Sequence, residues 1–393
     1  MAQQVLVYRL TGSAASLGII SVIGLIPLLP LSLWGGSISD RFNKRNVILL
    51  MQIAMLVQAF LLSFLTWTGK IQVWHVYLLS LILAGANAID MPARQAFTVD
   101  MIAGKEDLTN AIGLNSAMFN GARALGPSMA GITVAATGEG IAFFLNGLSF
   151  VAVIISLLMM RNLPKSSIPK QDGNALEHMI GGFRFAARNQ AIAVLISLVA
   201  VSAFLSMPYN TLMPVYAKNI LNESGHPIVD AVCNGNHPIL QCKSPEALLL
   251  GILMTAVGVG AVVGALFVAS LTNQRRGMLL TLGNLAFPFF LFIVAVSRSF
   301  LISSLMLLLI GFSFVLQNAL VNTLLQLATP DEVRGRVMGV YTMTFQTMMR
   351  LGGLQAGVVA DWVSAQFSLG IGAVISLIYG VFIAVHYPAI RKM

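Results

Sequence analysis

Along most of this chain apolar residues run on unbroken until a short charged turn stops them. Leu10 to Ser39 carries no Asp, Glu, Lys or Arg, and neither does Asn46 to Gly69. A helix needs about 20 apolar residues to cross a bilayer, so both runs predict membrane spans, antiparallel because the turn between them is short. Cutting the rest at its charges predicts further spans at Ile71 to Ile89, Gly140 to Met160, Asn189 to Ala217, Ala247 to Gln274, Gly277 to Ser297, Ser299 to Pro330 and Trp362 to Ile390. Two more, Leu108 to Gly138 and Val337 to Ala360, are interrupted only by Arg123 and Arg350. Membrane strands would be about ten residues long with strict alternation, which this pattern lacks. The expected class is an all-α integral membrane protein with eleven full spans. Met1 to Arg9 is too short to cross roughly 30 Å of hydrocarbon and reads as the stub of a further helix.

Composition agrees. The mean hydropathy is +0.84, and 9% of residues are charged, where about 25% is usual for a soluble domain. The formal charge of +9 comes from 23 basic and 14 acidic residues. If the loop around Asp40 is cytoplasmic, the loops on its side hold sixteen basic residues against five on the other. That asymmetry reports membrane orientation and not nucleic acid, and it places the Asp40 loop and the C-terminus in the cytoplasm.

Residues 161–188 form the one long connection, with Pro164, Pro169 and Gly173 followed by an amphipathic stretch, Leu176 to Arg188. It reads as a linker ending in a helix on the membrane surface, between a bundle at 1–160 and a second at 189–393. The bundles read as repeats. Gly85, Glu106, Gly113, Phe119, Gly126 and Gly131 recur 226 residues later as Gly311, Glu332, Gly339, Phe345, Gly352 and Gly357.

The turn Gly35-Gly36-Ser37-Ile38-Ser39-Asp40-Arg41-Phe42-Asn43-Lys44-Arg45 sets one acid among basic residues at the membrane surface. It resembles the loop signature between the second and third helices of the major facilitator superfamily, with Asn43 and Lys44 replacing its usual Gly and first Arg. Asn87 to Phe97, Val7 to Ser13 and Leu212 to Ala217 narrow the likeness to the transmembrane secretion effector branch, which includes bacterial enterobactin exporters. The resemblance covers nearly the whole chain. It implies two pseudo-symmetric helical bundles and alternating access, in which a central cavity opens to one side and then the other. Relatives have a complete first helix, so the stub implies a late start codon or a naturally shortened protein. A charge network of Asp40, Arg41, Lys44, Arg45, Asp90 and Arg94 is then the expected gating latch; a loop that only fixes topology is the alternative. The counterpart at Leu271 to Gly277 keeps its basic pair, Arg275 and Arg276, and lacks an acid.

In the fifth helix Gly121, Arg123, Gly126, Pro127 and Gly131 resemble the superfamily's antiporter signature, with Ala130 in place of one Gly; this implies export. Small residues there permit close helix packing, and Pro127 removes a backbone donor. Arg123 and Arg350 must face protein or water, with an anionic or catecholate-type substrate, or else backbone carbonyls or a structural acid near the cytoplasmic ends, as partners. Asn115, Asn120, Gln317, Asn318, Asn322 and Gln346 are candidates to line a cavity, or to bond helix to helix. Every acid reads as lying in a loop or at a helix end, so no proton-coupling group stands out. Cys233 and Cys242 fall in one outer loop, where they form a disulfide in an oxidising compartment or stay as two thiols. No phosphate-binding loop and no metal spacing is present, so the reading calls for no enzyme chemistry, cofactor or metal. The expected partners are a small-molecule substrate, the bilayer and protons as coupling ion, with no nucleic acid. The reading is an inner-membrane exporter; an uptake carrier and a non-transporting membrane protein are the alternatives.

Overall fold

The structure, a computed structural model, describes residues 1–28, 30–31, 43–101, 118, 121–122, 125–160, 175–234, 242–271 and 276–392. The regular elements among them are helices: α1 (Ala2–Thr11), α2 (Ala14–Ile23), α3 (Lys44–Trp67), α4 (Val73–Asp100), α5 (125–137), α6 (Glu139–Met159), α7 (Ala175–Arg188), α8 (Gln190–Ile220), α9 (Asn222–Val229), α10 (Pro245–Ser270), α11 (Arg276–Val296), α12 (Phe300–Ala328), α13 (Asp331–Trp362), α14 (Ala365–His386) and α15 (Pro388–Lys392). Eight are long and apolar enough to cross a membrane. At 32 residues α13 is longer still, with Arg334, Arg336 and Arg350 along it.

Short polar turns start these helices. Ser13, Asn43, Asn189, Ser299 and Ser364 each accept a backbone N–H of the following first turn, satisfying a donor that the helix leaves free. Gly12, at φ +64°, ends α1 in a left-handed cap and turns the chain directly into α2. Leu50, Phe64, Leu266 and Leu301 stand exposed along the outside, the surface a bilayer covers.

Most helices up to Met160 pack among themselves, as α3 on α4 and α6, and so do those from Asn189 on, as α12 on α10 and α11, with α14 on α11; α2 is the exception and lies chiefly on α13. Buried side chains divide accordingly. Near Lys44, Val47, Ile48, Ala93, Phe97 and Leu157 form one cluster, while Leu195, Leu280, Leu320, Leu324 and Val337 belong to another. At the opposite end, near Asp361, a single cluster takes Leu6 and Leu17 from the first half with Leu212, Met213 and Leu249 from the second. Among the described residues the core is thus shared at the Asp361 end and divided into two clusters at the Lys44 end. The stub α1 lies inside the shared part, with Val5, Leu6, Val7 and Tyr8 buried.

The linker helix α7 lays Gly182 on the Arg336 carbonyl of α13, where a Cβ would stand 2.7 Å from that oxygen. Ala186 is buried, and Ile180 and Phe183 face outward.

Candidate functional site

The sequence gives α2 a Ser cap and no acid in its first turn. The missing charge comes from the other half. Asp361, at the end of α13, accepts from Ser13 Oγ–H at 2.5 Å, from Ala14 N–H at 2.7 Å and from Ala15 N–H at 3.1 Å. A carboxylate on the positive end of a helix contributes typically 0.3–1 kcal/mol, up to about 2 where partly buried. Below it the two backbones nearly touch. A Cβ on Gly18 would stand 2.8 Å from the Gly353 carbonyl oxygen, and one on Gly357 would stand 2.5 Å from that of Ala14. Further down, Arg350 Nη1–H donates to the Ser21 carbonyl at 3.2 Å, in space that a side chain on Gly24 would fill. Arg350 Nε and Thr347 Oγ1 are buried without a hydrogen-bond partner among the described residues.

Two other contacts join the halves at this end. Asn219 of α8 donates from Nδ2 to Tyr8 Oη at 2.6 Å, and Lys218 Nζ lies 5.4 Å from the Tyr8 ring centroid, a cation–π distance. Between α5 and α10, a Cβ on Gly251 would stand 2.8 Å from Gly131 Cα, and the Lys243 and Ser244 N–H groups donate to the Ala135 carbonyl at 2.6 and 3.2 Å. Those donors follow the loop that Cys233 and Cys242 close with a disulfide. A cleft lined by Tyr8, Arg9, Lys218 and Glu246 lies beside them. Arg9 Nε approaches Glu139 Oε1 at 3.3 Å, near enough for attraction but not aligned as a hydrogen bond. Among the described residues, the substantial helix contacts between the halves, α2 with α13 and α8 and α1 with α8, all lie at this end.

At the Lys44 end the described contacts of Arg45 and Asp90 lie within the first half. Arg45 donates to the terminal carbonyls of α6, from Nε to Leu157 at 2.7 Å and from Nη2 to Leu158 at 2.9 Å, as a cation does at a helix C-terminus. Lys44 is buried beside it. Asp90 is bound by Gln52 Nε2 at 3.0 Å and by Arg94 Nε at 3.1 Å. Its position departs from expectation: α4 continues to Asp100, so Asp90 is roughly 15 Å from that end and buried. Pro92 and Arg94 look like a terminus in the sequence, but the helix carries Pro92 in its interior. Asp40 and Arg41 lie outside the described residues, as do Asn115, Asn120 and Arg123.

Of the remaining polar candidates, Gln317 and Asn318 bond helix to helix. Gln317 donates to Asn284 at 2.8 Å and accepts from Ser202 at 3.1 Å, buried within the second half. Asn318 accepts from Tyr341 at 2.8 Å, and Asn322 from Gln326 at 2.5 Å within α12. Gln346 is half-buried on α13. In the fifth-helix motif Gly131 packs across the halves and the Pro127 carbonyl lies 3.4 Å from where a Gly251 Cβ would be, whereas a Cβ on Gly121 or Gly126 would meet nothing within 4 Å. No metal-binding group of three His, Cys, Asp or Glu occurs among the described residues. Sequence reasoning missed Asp361, Ser13, Tyr8 and Asn219 as a set, because each partner is more than 200 positions away; the acid-free first turn of α2 was the one local sign.

These features define a multi-pass membrane protein of two helical bundles with one end sealed across both. The Major Facilitator Superfamily model matches residues 1–353, and the chain belongs to that superfamily. It is 23% identical over 352 residues to the staphyloferrin A transporter of Staphylococcus aureus, covering 89% of this chain and 82% of that one. It is 23% identical over 399 residues to the multidrug efflux pump Tap of Mycolicibacterium fortuitum (99% and 91%), and 22% over 360 residues to the enterobactin exporter EntS of Escherichia coli (91% and 80%). Its fold is similar to the nucleoside transporter NupG, with a TM-score of 0.72 at 13% identity over 99% of this chain and 93% of that one. A bacterial homologue of the human lysosomal transporter Spinster, inward-facing and unoccupied, gives 0.63 at 13% identity over 100% and 93%.

Proposed function

We propose that this protein is a secondary transporter exporting a small organic molecule, of siderophore or drug type, across the bacterial inner membrane by alternating access in exchange for protons. The carrying observation is the core, shared between the halves at the Asp361 end and split into separate legs at the Lys44 end. A molecule built this way closes one side while leaving the halves free to part at the other. The sixteen-to-five basic asymmetry supports placing the Lys44 end and the C-terminus in the cytoplasm, so the state is closed to the outside. The moving bodies are residues 1–160 and 189–393, linked by 161–188. When the cycle reverses, Asp40, Arg41, Lys44, Arg45, Asp90 and Arg94 latch the cytoplasmic side. Export is supported by the relatives whose names call them efflux pump or exporter and by the likeness of Gly126-Pro127 to the antiporter signature.

Accumulation of labelled siderophores and fluorescent dyes in cells with and without the protein tests this. Expressing cells are expected to accumulate less of at least one compound, a difference that disappears with a protonophore and is reduced by Asp40→Asn. Equal accumulation across the whole panel overturns the proposal.

A further inference from the structure

We infer that Arg350 anchors the oxyanion of a carboxylate-bearing substrate, and that binding there releases the seam between α2 and α13, because one guanidinium serves both contacts. This rests on the transporter reading above and specifies its substrate class.

Arg350 lies 11 residues before Asp361, about 16 Å down α13 at 1.5 Å per residue, within the thickness a bilayer covers. A cation taken out of water costs several kcal/mol unless an anion or a full set of acceptors replaces the solvent. Arg has five N–H donors. Among the described residues its hydrogen bond is a single one, to the neutral Ser21 carbonyl at 3.2 Å, while Nε is buried without a partner there. No carboxylate of the described residues forms an ion pair with it. Thr347, one turn earlier on the same helix face, also buries an unpartnered hydroxyl oxygen. A hydroxyl and part of a guanidinium fork therefore lie buried within one turn of each other on α13 with no ion-pair partner among the described residues. A planar oxyanion accepts from Arg through two parallel N–H bonds, which suits a carboxylate.

The second half of the inference follows from Gly24. The guanidinium reaches Ser21 through space that any side chain at position 24 would occupy. Drawing it toward an anion breaks the Ser21 bond and leaves the seam held by glycine packing and the Asp361 cap. Oxyanion binding thus favours opening at the Asp361 end, and by linkage holding that end shut weakens oxyanion binding by the same factor. A neutral molecule of the same shape has no such effect.

The test uses the full-length protein in lipid nanodiscs, with radiolabelled 2,3-dihydroxybenzoate and citrate as oxyanions and catechol as the neutral control. A cysteine at Ala15→Cys, labelled by a membrane-impermeant maleimide, reports the seam. At least one oxyanion is expected to bind and to raise labelling severalfold, and catechol to leave labelling unchanged. Arg350→Gln is expected to lose tenfold or more in oxyanion affinity together with the labelling response, and Arg350→Lys to keep part of both. Gly24→Ala displaces the guanidinium without removing its charge, so it should label quickly without ligand and bind the oxyanion at least as tightly. Undiminished binding in Arg350→Gln, wild-type labelling in Gly24→Ala, or no response of the unaltered protein to either oxyanion overturns the inference; if Arg350→Gln does not insert, the Lys and Gly24 variants decide. A protein that exports a dye from cells but fails here contradicts this inference alone, whereas one that responds here but exports nothing contradicts the transporter reading alone.

Discussion

Asp361 closes a helix that begins 348 residues earlier in the chain, and three donors converge on its two oxygens. Replacement by Asn keeps the shape but removes the charge and turns an N–H pair toward backbone donors. The expected cost is about 1–2 kcal/mol, a shift of roughly 5- to 30-fold toward an open outer end. Faster maleimide labelling of Ala15→Cys in the Asp361→Asn background checks this, and unchanged labelling removes Asp361 from the closure. Single residues were legible in proportion to how local their partners are. Asp90 and Arg94, four apart on one helix, fell into one group from sequence alone and pair directly. Asp361 was seen only as a loop acid, because nothing in its neighbourhood names Ser13 as its partner. Gln317 stayed open between cavity lining and a helix-to-helix bond for the same reason, since its partners Asn284 and Ser202 are 33 and 115 positions away.

Among the helices, α5 and α13 carry the repeat into the mechanism. Gly131 and Gly357 are equivalent under the 226-residue offset, and each brings its helix against one of the opposite half: Gly131 onto Gly251 of α10, Gly357 onto Ala14 of α2. The two seams are one contact used twice, and backbones meet this closely only where no side chain intervenes. Gly131→Leu is expected to hold α5 off α10 and to lower efflux by more than tenfold without loss of protein from the membrane. Gly335→Leu is the control, because a Cβ there meets nothing within 4 Å among the described residues, and it should export normally. Equal activity of the two variants, measured as dye efflux per unit of protein, contradicts a closure through Gly131. The repeat and the apolar runs made most spans legible, since both are written in consecutive residues. The interior of α8 was not: its π turns at Ser202–Ser206 and Tyr216–Ile220 depend on what packs there, as where Gly352 and Gly372 meet the Phe204 and Leu205 carbonyls.

For the molecule as a whole, the proposed cycle makes closure at one end and separation at the other a single property: two bundles that among the described residues share a core at the Asp361 end alone would exchange ends by rocking. A covalent tie across the shared end must therefore stop the cycle. Gly353 offers the place, since a Cβ there would lie 3.1 Å from Ser21 Cβ, slightly inside the usual 3.5–4.5 Å of a disulfide and reachable by a small shift of either helix. With Cys233 and Cys242 both changed to Ser, so that the engineered pair is alone, Ser21→Cys with Gly353→Cys is expected to crosslink on mild oxidation. Efflux should then fall to the level of cells without the protein and return on reduction, while each single variant stays indifferent to oxidant. A crosslinked protein that exports at its reduced rate would mean that substrate leaves without the α2–α13 seam opening, and that the bundles do not rock about the Asp361 end.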